Sequence, residues 1–360
     1  MRAAVLREVP GKFSIENVDL DKPRGEEVRI RTMAAGVCQT ELHIMEGRNP
    51  ALLPTVLGHE SAGVVTAIGE DVTHVKLGDH IVTCVSRFCG ECRQCLTGHP
   101  SLCHAVSTGR AAGAPPALSQ NGNSINQFVG LASFAEEMLV HERNTVKIDR
   151  DIPFDRAALV GCAVLTGCGA VFNSAQVRAG TTVAVIGCGG VGLNCIQGAR
   201  IAGALRVIAI DKSAAKLALA KQFGATDVID ASSCDPVAAV RDLTLGGVEY
   251  SFEAIGLPST IEQAIAMLSR GGVTTAIGMI PDGATVRVSG ADMMAERRLQ
   301  GCRMGSNRFR LDVPRLLELY KQGRLMLDEL ISDRVDLDSV NQACAKLKSG
   351  AAARSVIMFE

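Results

Sequence analysis

Apolar and polar positions alternate along the first part of the chain, in Val28-Arg29-Ile30-Arg31, in Gly63-Val64-Val65-Thr66-Ala67-Ile68-Gly69 and in Gly78-Asp79-His80-Ile81-Val82. Period-two alternation with β-branched residues and glycine turns predicts a mostly antiparallel β region over residues 1 to about 80, with Met1 to Arg7 as its first strand. The alternation resumes at Phe134 and runs to Val146-Lys147-Ile148. A helical stretch is expected from Leu159 to about Ala175, and after it the pattern changes character. Thr182-Val183-Ala184-Val185-Ile186 is a continuous apolar run, closed by Gly187-Cys188-Gly189-Gly190-Val191-Gly192 and followed by a helical pattern to Ala202. Further buried strands are expected at residues 206–210, 227–230, 250–256 and 273–278, with helices between them. Fully apolar strands alternating with helices imply a parallel sheet covered on both faces. After about Ser306 come two helices, residues 313–322 and 337–348, and a last strand at 355–359 that is read as returning to the first domain. The expected division is therefore residues 1–163 with 307–360 as one domain and 164–306 as the other.

Length and charge change this picture little. The 360 residues are enough for two ordinary cores, and 47% hydrophobic content with 37 glycines and 3% aromatics suits an α/β protein. With 37 basic against 38 acidic residues and no long run of one sign, neither nucleic acid nor an anionic membrane surface is expected as a partner. No apolar run is read as approaching the roughly 20 residues that span a bilayer. With an N-terminus that reads as a strand and no signal peptide, a cytoplasmic protein is expected.

Cysteine usage changes it more. Thirteen cysteines in a chain of this size, four of them tightly clustered, point to metal in a reducing compartment rather than to disulfides. Cys89, Cys92, Cys95 and Cys103 have the spacing that closes a tetrahedral all-sulfur zinc site with no open position; the alternative is four ordinary buried cysteines. The Ala-, Gly-, Ser-, Asn- and Pro-rich residues 105–127 read as a long loop beside the active-site cleft.

A second constellation stands earlier. Gly36-Val37-Cys38-Gln39-Thr40-Glu41-Leu42-His43, followed by Gly58-His59-Glu60, offers a thiol, an imidazole with an acidic neighbour, and a hydroxyl two residues from the thiol. Those are the parts needed to hold a reactive zinc and move a proton away from it. Cys38 and His59 are placed in loops at the edges of the predicted strands.

The glycine motif follows a predicted strand and opens a predicted helix, the context that gives G-x-G-x-x-G its meaning. Gly187 makes the turn, Gly189 lets backbone approach a pyrophosphate, and Gly192 packs helix on strand, while Gly190 and Val191 begin a helix whose N-terminus carries partial positive charge. The next strand ends at Asp211, 24 residues after Gly187. A carboxylate there accepts both ribose hydroxyls and repels a 2′-phosphate, so NAD is favoured over NADP, with Lys212 and Lys216 weakening the preference.

Together these residues resemble the zinc-containing medium-chain alcohol dehydrogenases over the whole chain, within their long-loop branch of liver-type, glutathione-dependent formaldehyde and bacterial aryl-alcohol enzymes. The resemblance implies an α/β fold made of a mostly antiparallel, GroES-like catalytic domain and a Rossmann cofactor domain with a doubly wound parallel sheet. It implies NAD and two zinc ions per chain, the catalytic one on Cys38, His59 and Cys162, the structural one on Cys89, Cys92, Cys95 and Cys103. Thr40 would receive the proton of a zinc-bound alcohol, His43 would pass it toward solvent, and the alkoxide would give hydride to the nicotinamide. Glu41 and Glu60 would orient the ligands, Glu41 standing where the family more often has aspartate. Gln39, Thr166, Lys216 and Arg354 would contact the cofactor, Gln39 replacing a common arginine or histidine. A homodimer joined through the cofactor domains is the family habit.

Three readings of function remain open. Val85 falls where liver-type relatives often have a pocket-narrowing phenylalanine, and the stretch His141-Glu142-Arg143-Asn144-Thr145-Val146-Lys147 resembles bacterial benzyl-alcohol dehydrogenases. Both favour primary alcohols, aromatic or medium-chain aliphatic. Ser107 stands where the glutathione-dependent enzymes carry an arginine, with Arg110 displaced nearby, which argues against a formaldehyde–thiol adduct as substrate. A non-catalytic zinc- and NAD-binding redox sensor is the third.

Overall fold

The computed structural model describes residues 1–104, 110, 113–350 and 353–360, and the chain divides into two compact units. Residues 105–109 and 111–112 of the expected long loop, Ser107 among them, lie outside the described residues.

The first unit comprises Met1–Cys162, Arg308–Lys321 and Leu327–Glu360. Its largest sheet has seven strands, running Thr145–Ile148, His80–Thr83, Glu60–Ile68, Glu27–Gly36, Arg354–Met358, Ile331–Val335, with Glu137–His141 also paired to Glu27–Gly36. Register in this sheet positions the site. Gly36 lies opposite Glu60 on one side and Val356 on the other, all in antiparallel pairs. A side chain at Gly36 would put its Cβ 2.4 Å from the Glu60 carboxylate, so only glycine lets the two strands bring that carboxylate to the strand end. Beside this sheet, Leu6, Leu57, Leu118 and Phe134 form a fully buried core with Phe13, whose ring meets Phe134 edge-on at 5.7 Å. Each such side chain contributes roughly 1.5–3 kcal/mol by leaving water.

The second unit, Ala163–Asn307 with Gln322–Met326, holds a six-stranded sheet in the order Asp227–Asp230, Arg206–Asp211, Thr182–Ile186, Val248–Glu253, Leu268–Ala276, Arg298–Gly301. Every neighbouring pair is parallel. The central strands are apolar throughout, Val183, Ala184, Val185, Val207, Ile208 and Ala209 all being buried, as a sheet covered on both faces requires. Strand order reverses between Thr182–Ile186 and Val248–Glu253, the point at which such sheets bind ligands. The expected α/β class, antiparallel sheet plus doubly wound parallel sheet, is what the chain forms.

Some features differ from expectation. The last part of the expected long loop, residues 118–127, carries the short strands Leu118–Gln120, Asn123–Ser124 and Asn126–Gln127, which pair with each other or with Asp19–Leu20 and Thr55–Val56. Cys38, expected in a loop at a strand edge, is the N-cap of a short helix, Gln39–Met45. One helical run, Phe154–Ala175, is long and apolar enough by composition to cross a bilayer, where the sequence was read as having no such run. Its most apolar window is 83% buried within the protein, so protein rather than lipid covers it, as in a core helix.

Candidate active site

The strand Glu27–Gly36 delivers Cys38 to the start of the helix Gln39–Met45, His59 immediately precedes the strand Glu60–Ile68, and Cys162 sits in the wide helical turn Val160–Val164. Ligand atoms of Cys38, His59, Glu60 and Cys162 all lie within 4.8 Å of one another, and all four residues are buried. Cys162 Sγ is 3.3 Å from His59 Nε2. Glu41, one turn into the short helix, organises the group: its Oε2 accepts from the Cys38 backbone N–H at 2.9 Å and its Oε1 meets His59 Nδ1 at 2.5 Å. With Nδ1 donating to that carboxylate, Nε2 is the ring nitrogen left facing the two sulfurs, as a metal-binding imidazole requires. Burial works against charge on His59, but Glu41 and Cys38 outweigh it and push its pKa well up. Cys162 holds Cys38 well below the ordinary thiol range, with Arg354 and His59 helping against burial, while Cys162 itself is pushed up. Two thiols and an imidazole nitrogen converging on one point are a donor set that suits zinc.

Glu60 and Arg354 complete this cluster. Glu60 is fully buried, neither carboxylate oxygen has a hydrogen-bond partner among the described residues, and burial pushes its pKa up to about 7 against the pull of Arg354. The Arg354 guanidinium lies 3.5 Å from Glu60 and donates to the Val37 carbonyl at 3.2 Å. It is 3% exposed; burial opposes its charge, but Glu60 and the two thiols hold its pKa up. The register of the last strand, not proximity in sequence, makes this pair.

Gln39 is exposed in the first turn of the short helix. Thr40 and His43 are three residues apart on one helix face, with Thr40 Oγ1 3.8 Å from Cys38 Sγ. Burial, with Arg48 adding, lowers the pKa of the half-buried His43, which keeps its imidazole neutral near neutral pH.

The second cysteine cluster has the dimensions of a metal site. Sulfur–sulfur separations are 3.9 Å for Cys89–Cys95, 3.6 Å for Cys92–Cys95 and 3.8 Å for Cys92–Cys103. Zinc–sulfur bonds of about 2.3 Å give a tetrahedron with edges of about 3.8 Å. The Glu91 and Cys92 backbone N–H groups donate to Cys89 Sγ at 3.4 and 3.2 Å, which pulls that thiol down to about 6.

In the second unit, Gly187 has φ +92°, and a Cβ at Gly192 would lie 1.7 Å from the Gly187 carbonyl, so helix and turn close on each other only without a side chain. A Cβ at Gly189, the helix N-cap, would meet nothing within 4 Å, which leaves the backbone N–H groups of Gly190 and Val191 approachable. Asp211 accepts from Cys188 N–H at 2.8 Å and Ser213 N–H at 3.0 Å, which fixes its carboxylate beside the glycine turn. Lys216 lies in the first turn of the helix Ala214–Gln222, and Thr166, buried, sits 3.7 Å from Met304 Sδ. Val85, half-buried, packs against the cluster of Val28, Ile30 and Val65. Sequence reasoning passed over the Glu60–Arg354 pair, for which no local signal exists.

Residues 24–150 match the alcohol dehydrogenase GroES-like domain, and residues 190–322 match the zinc-binding dehydrogenase family. Over 99% of the chain and 96% of the relative, the sequence is 36% identical to class-3 alcohol dehydrogenase of Oryza sativa subsp. japonica. The chain belongs to the zinc-containing alcohol dehydrogenases. Within that family it is 37% identical to S-(hydroxymethyl)glutathione dehydrogenase of Synechocystis sp., over 99% of both chains. Benzyl alcohol dehydrogenase of Acinetobacter calcoaceticus superposes with a TM-score of 0.94 at 33% identity, covering 100% of this chain and 99% of that one. A zinc-binding alcohol dehydrogenase domain protein from Burkholderia ambifaria gives a TM-score of 0.95 at 36% identity, covering 100% and 98%. As a member of this family the chain is an NAD-dependent oxidoreductase with two zinc sites, acting on a small alcohol or aldehyde.

Proposed function

We propose that the enzyme interconverts primary alcohols, aromatic or medium-chain aliphatic, with their aldehydes, using NAD and no thiol. The observation that carries this reading is the state of Arg110. It supplies the only Lys or Arg side chain between Cys103 and Gln127, and a thiol adduct bearing a carboxylate would need such a cation there. Arg110 is already committed: it donates to Glu27 at 2.8 and 2.7 Å, to Asp21, and to the Lys22 and Pro115 carbonyls, with its side chain 11% exposed. Likeness to the benzyl alcohol dehydrogenase of Acinetobacter calcoaceticus supports the same substrate class. A second reading, the formaldehyde–thiol adduct, is favoured by the name of the Synechocystis relative.

Bound at Cys38, His59 and Cys162, zinc would supply the Lewis acidity that makes an alcohol hydroxyl easier to deprotonate. Thr40 Oγ1 takes up that proton and His43 carries it to solvent, its lowered pKa keeping the ring neutral and favouring release of the proton to water. Glu41 fixes the tautomer of His59, and Glu60 with Arg354 sets the charge behind the ligands. Gly187, Gly189, Gly190, Val191, Gly192 and Asp211 bind the dinucleotide, with Gln39, Thr166, Lys216 and Arg354 assigned to its remaining contacts. Catalysis is assigned to residues 1–163 and 307–360 and cofactor binding to 164–306. Thirteen cysteines without a disulfide support a cytoplasmic setting. A homodimer is supported by the edge strand Arg298–Gly301, near which Met293, Met294 and Leu299 are 68%, 86% and 41% exposed.

NADH formation from benzyl alcohol and 1-hexanol, with and without glutathione and formaldehyde, tests the proposal. Turnover of the free alcohols without thiol is expected; activity confined to the glutathione–formaldehyde mixture would replace it with the second reading.

A further inference from the structure

The strand Val248–Glu253 lies at the reversal of the parallel sheet, where the turns leaving the strands meet a ligand. Its last residue, Glu253, is fully buried. A single oxygen, Oε1, accepts three hydrogen bonds, from Ile255 N–H at 2.9 Å, Gly256 N–H at 2.8 Å and the Thr260 hydroxyl at 2.7 Å. The Glu253 carbonyl accepts two more, from Ile277 and Gly278 N–H at 2.9 and 3.1 Å. One residue thus ties the turn after its own strand to the turn after the neighbouring strand, Leu268–Ala276. Those turns have no slack. A Cβ at Gly256 would lie 2.3 Å from the Met279 carbonyl, one at Gly278 2.0 Å from Gly256 N, and one at Gly187 2.6 Å from the Ile255 side chain. The glycine turn therefore touches the turn that Glu253 holds.

The other oxygen, Oε2, is buried with no hydrogen-bond partner among the described residues. A buried carboxylate with an orphan oxygen costs stability. That cost is explained by the shape it enforces.

We propose that Glu253 is a positioning residue for the dinucleotide: by locking the Ile255–Gly256 and Ile277–Gly278 turns against the Gly187 turn, it sets cofactor affinity without taking part in hydride transfer. This rests on the NAD reading above: a wild type that fails to bind NADH removes both, whereas wild-type binding left unchanged by Glu253→Ala removes this proposal alone.

The test is the NADH dissociation constant, measured by fluorescence titration of the zinc-loaded enzyme and of Glu253→Ala, Glu253→Gln and Thr260→Val. Loss of all three side-chain bonds should raise the constant about tenfold or more in Glu253→Ala, while Glu253→Gln, keeping an acceptor, and Thr260→Val, losing one donor, should each raise it only a few-fold. KM for NAD should rise in step, with kcat at saturating cofactor unchanged or higher because NADH leaves faster. An unchanged constant in a folded Glu253→Ala overturns the proposal. If that variant does not fold, an unchanged constant in Thr260→Val does so. Equal losses in the Gln and Ala variants, or a kcat that falls as far as kcat/KM, also overturn it.

Discussion

Glu41 and His59 meet at 2.5 Å, while the other oxygen of Glu41 accepts the Cys38 backbone N–H at 2.9 Å, so one carboxylate positions two of the three expected zinc ligands. The Glu41 side chain reaches both groups from the first turn of the helix that starts at Cys38. Glu41→Ala should free the imidazole and the helix start together and weaken zinc at this site roughly 10–100-fold. Chelator competition followed by metal analysis checks this. One zinc per chain should be lost early, with the zinc of Cys89, Cys92, Cys95 and Cys103 retained.

Thr40→Val removes the hydroxyl assigned to receive the alcohol proton and should lower kcat by about 100-fold or more, with the NADH dissociation constant unchanged. A drop in cofactor affinity of the same size would mean that Thr40 positions the dinucleotide instead.

His43 carries a pH dependence whose sign is set by burial. Its folded pKa is below the ordinary value of 6.5, so the unfolded chain binds more protons and the residue's neutral burial costs stability as pH falls below about 6.5. Turnover should fall on the same acidic limb as the imidazole charges and stops accepting protons. His43→Gln should be slower at pH 7 by roughly tenfold and approach wild type at high pH, where hydroxide takes the proton without a relay. A pH–rate profile from 5.5 to 9.5, together with urea unfolding across the same range, measures both effects.

Asp211 accepts two backbone N–H groups beside the glycine turn. Asp211→Ala should raise the NADH dissociation constant about tenfold and narrow the gap to NADPH, since the charge that repels a 2′-phosphate is gone. Parallel titrations with the two reduced cofactors read this directly.

In the first unit, Phe134→Ala removes a fully buried ring from a core that also contains Phe13 and Leu57. A loss of about 3–5 kcal/mol is expected from denaturant unfolding of the zinc-loaded protein.

Fold class was legible because its signals are periodic. Alternation marked the antiparallel sheet, and continuous apolar strands interleaved with helices marked the parallel one. Cys89 to Cys103 and Gly187 to Gly192 were legible because their geometry is local. What escaped depends on register or on single hydrogen bonds. The helix Gln39–Met45 has no separate signal in the sequence, because seven residues carry too little periodicity to announce a helix beside a strand end. The Glu60–Arg354 pair exists only because Gly36 lies between Glu60 and Val356 in the sheet. Glu253 read as one more buried strand residue, since nothing in the run Tyr250 to Gly256 tells which of its neighbours its carboxylate will hold. The apolar length of Phe154–Ala175 was underestimated because Asp155 and Arg156 interrupt its start.

The most direct test of the account is zinc content measured alongside NADH formation from benzyl alcohol, for the wild type and for Cys38→Ser. Two zinc ions per chain with turnover in the wild type, and one zinc with no turnover in the variant, is the predicted result. A Cys38→Ser protein that keeps wild-type turnover, or a fully loaded wild type with no activity on any primary alcohol, would contradict it.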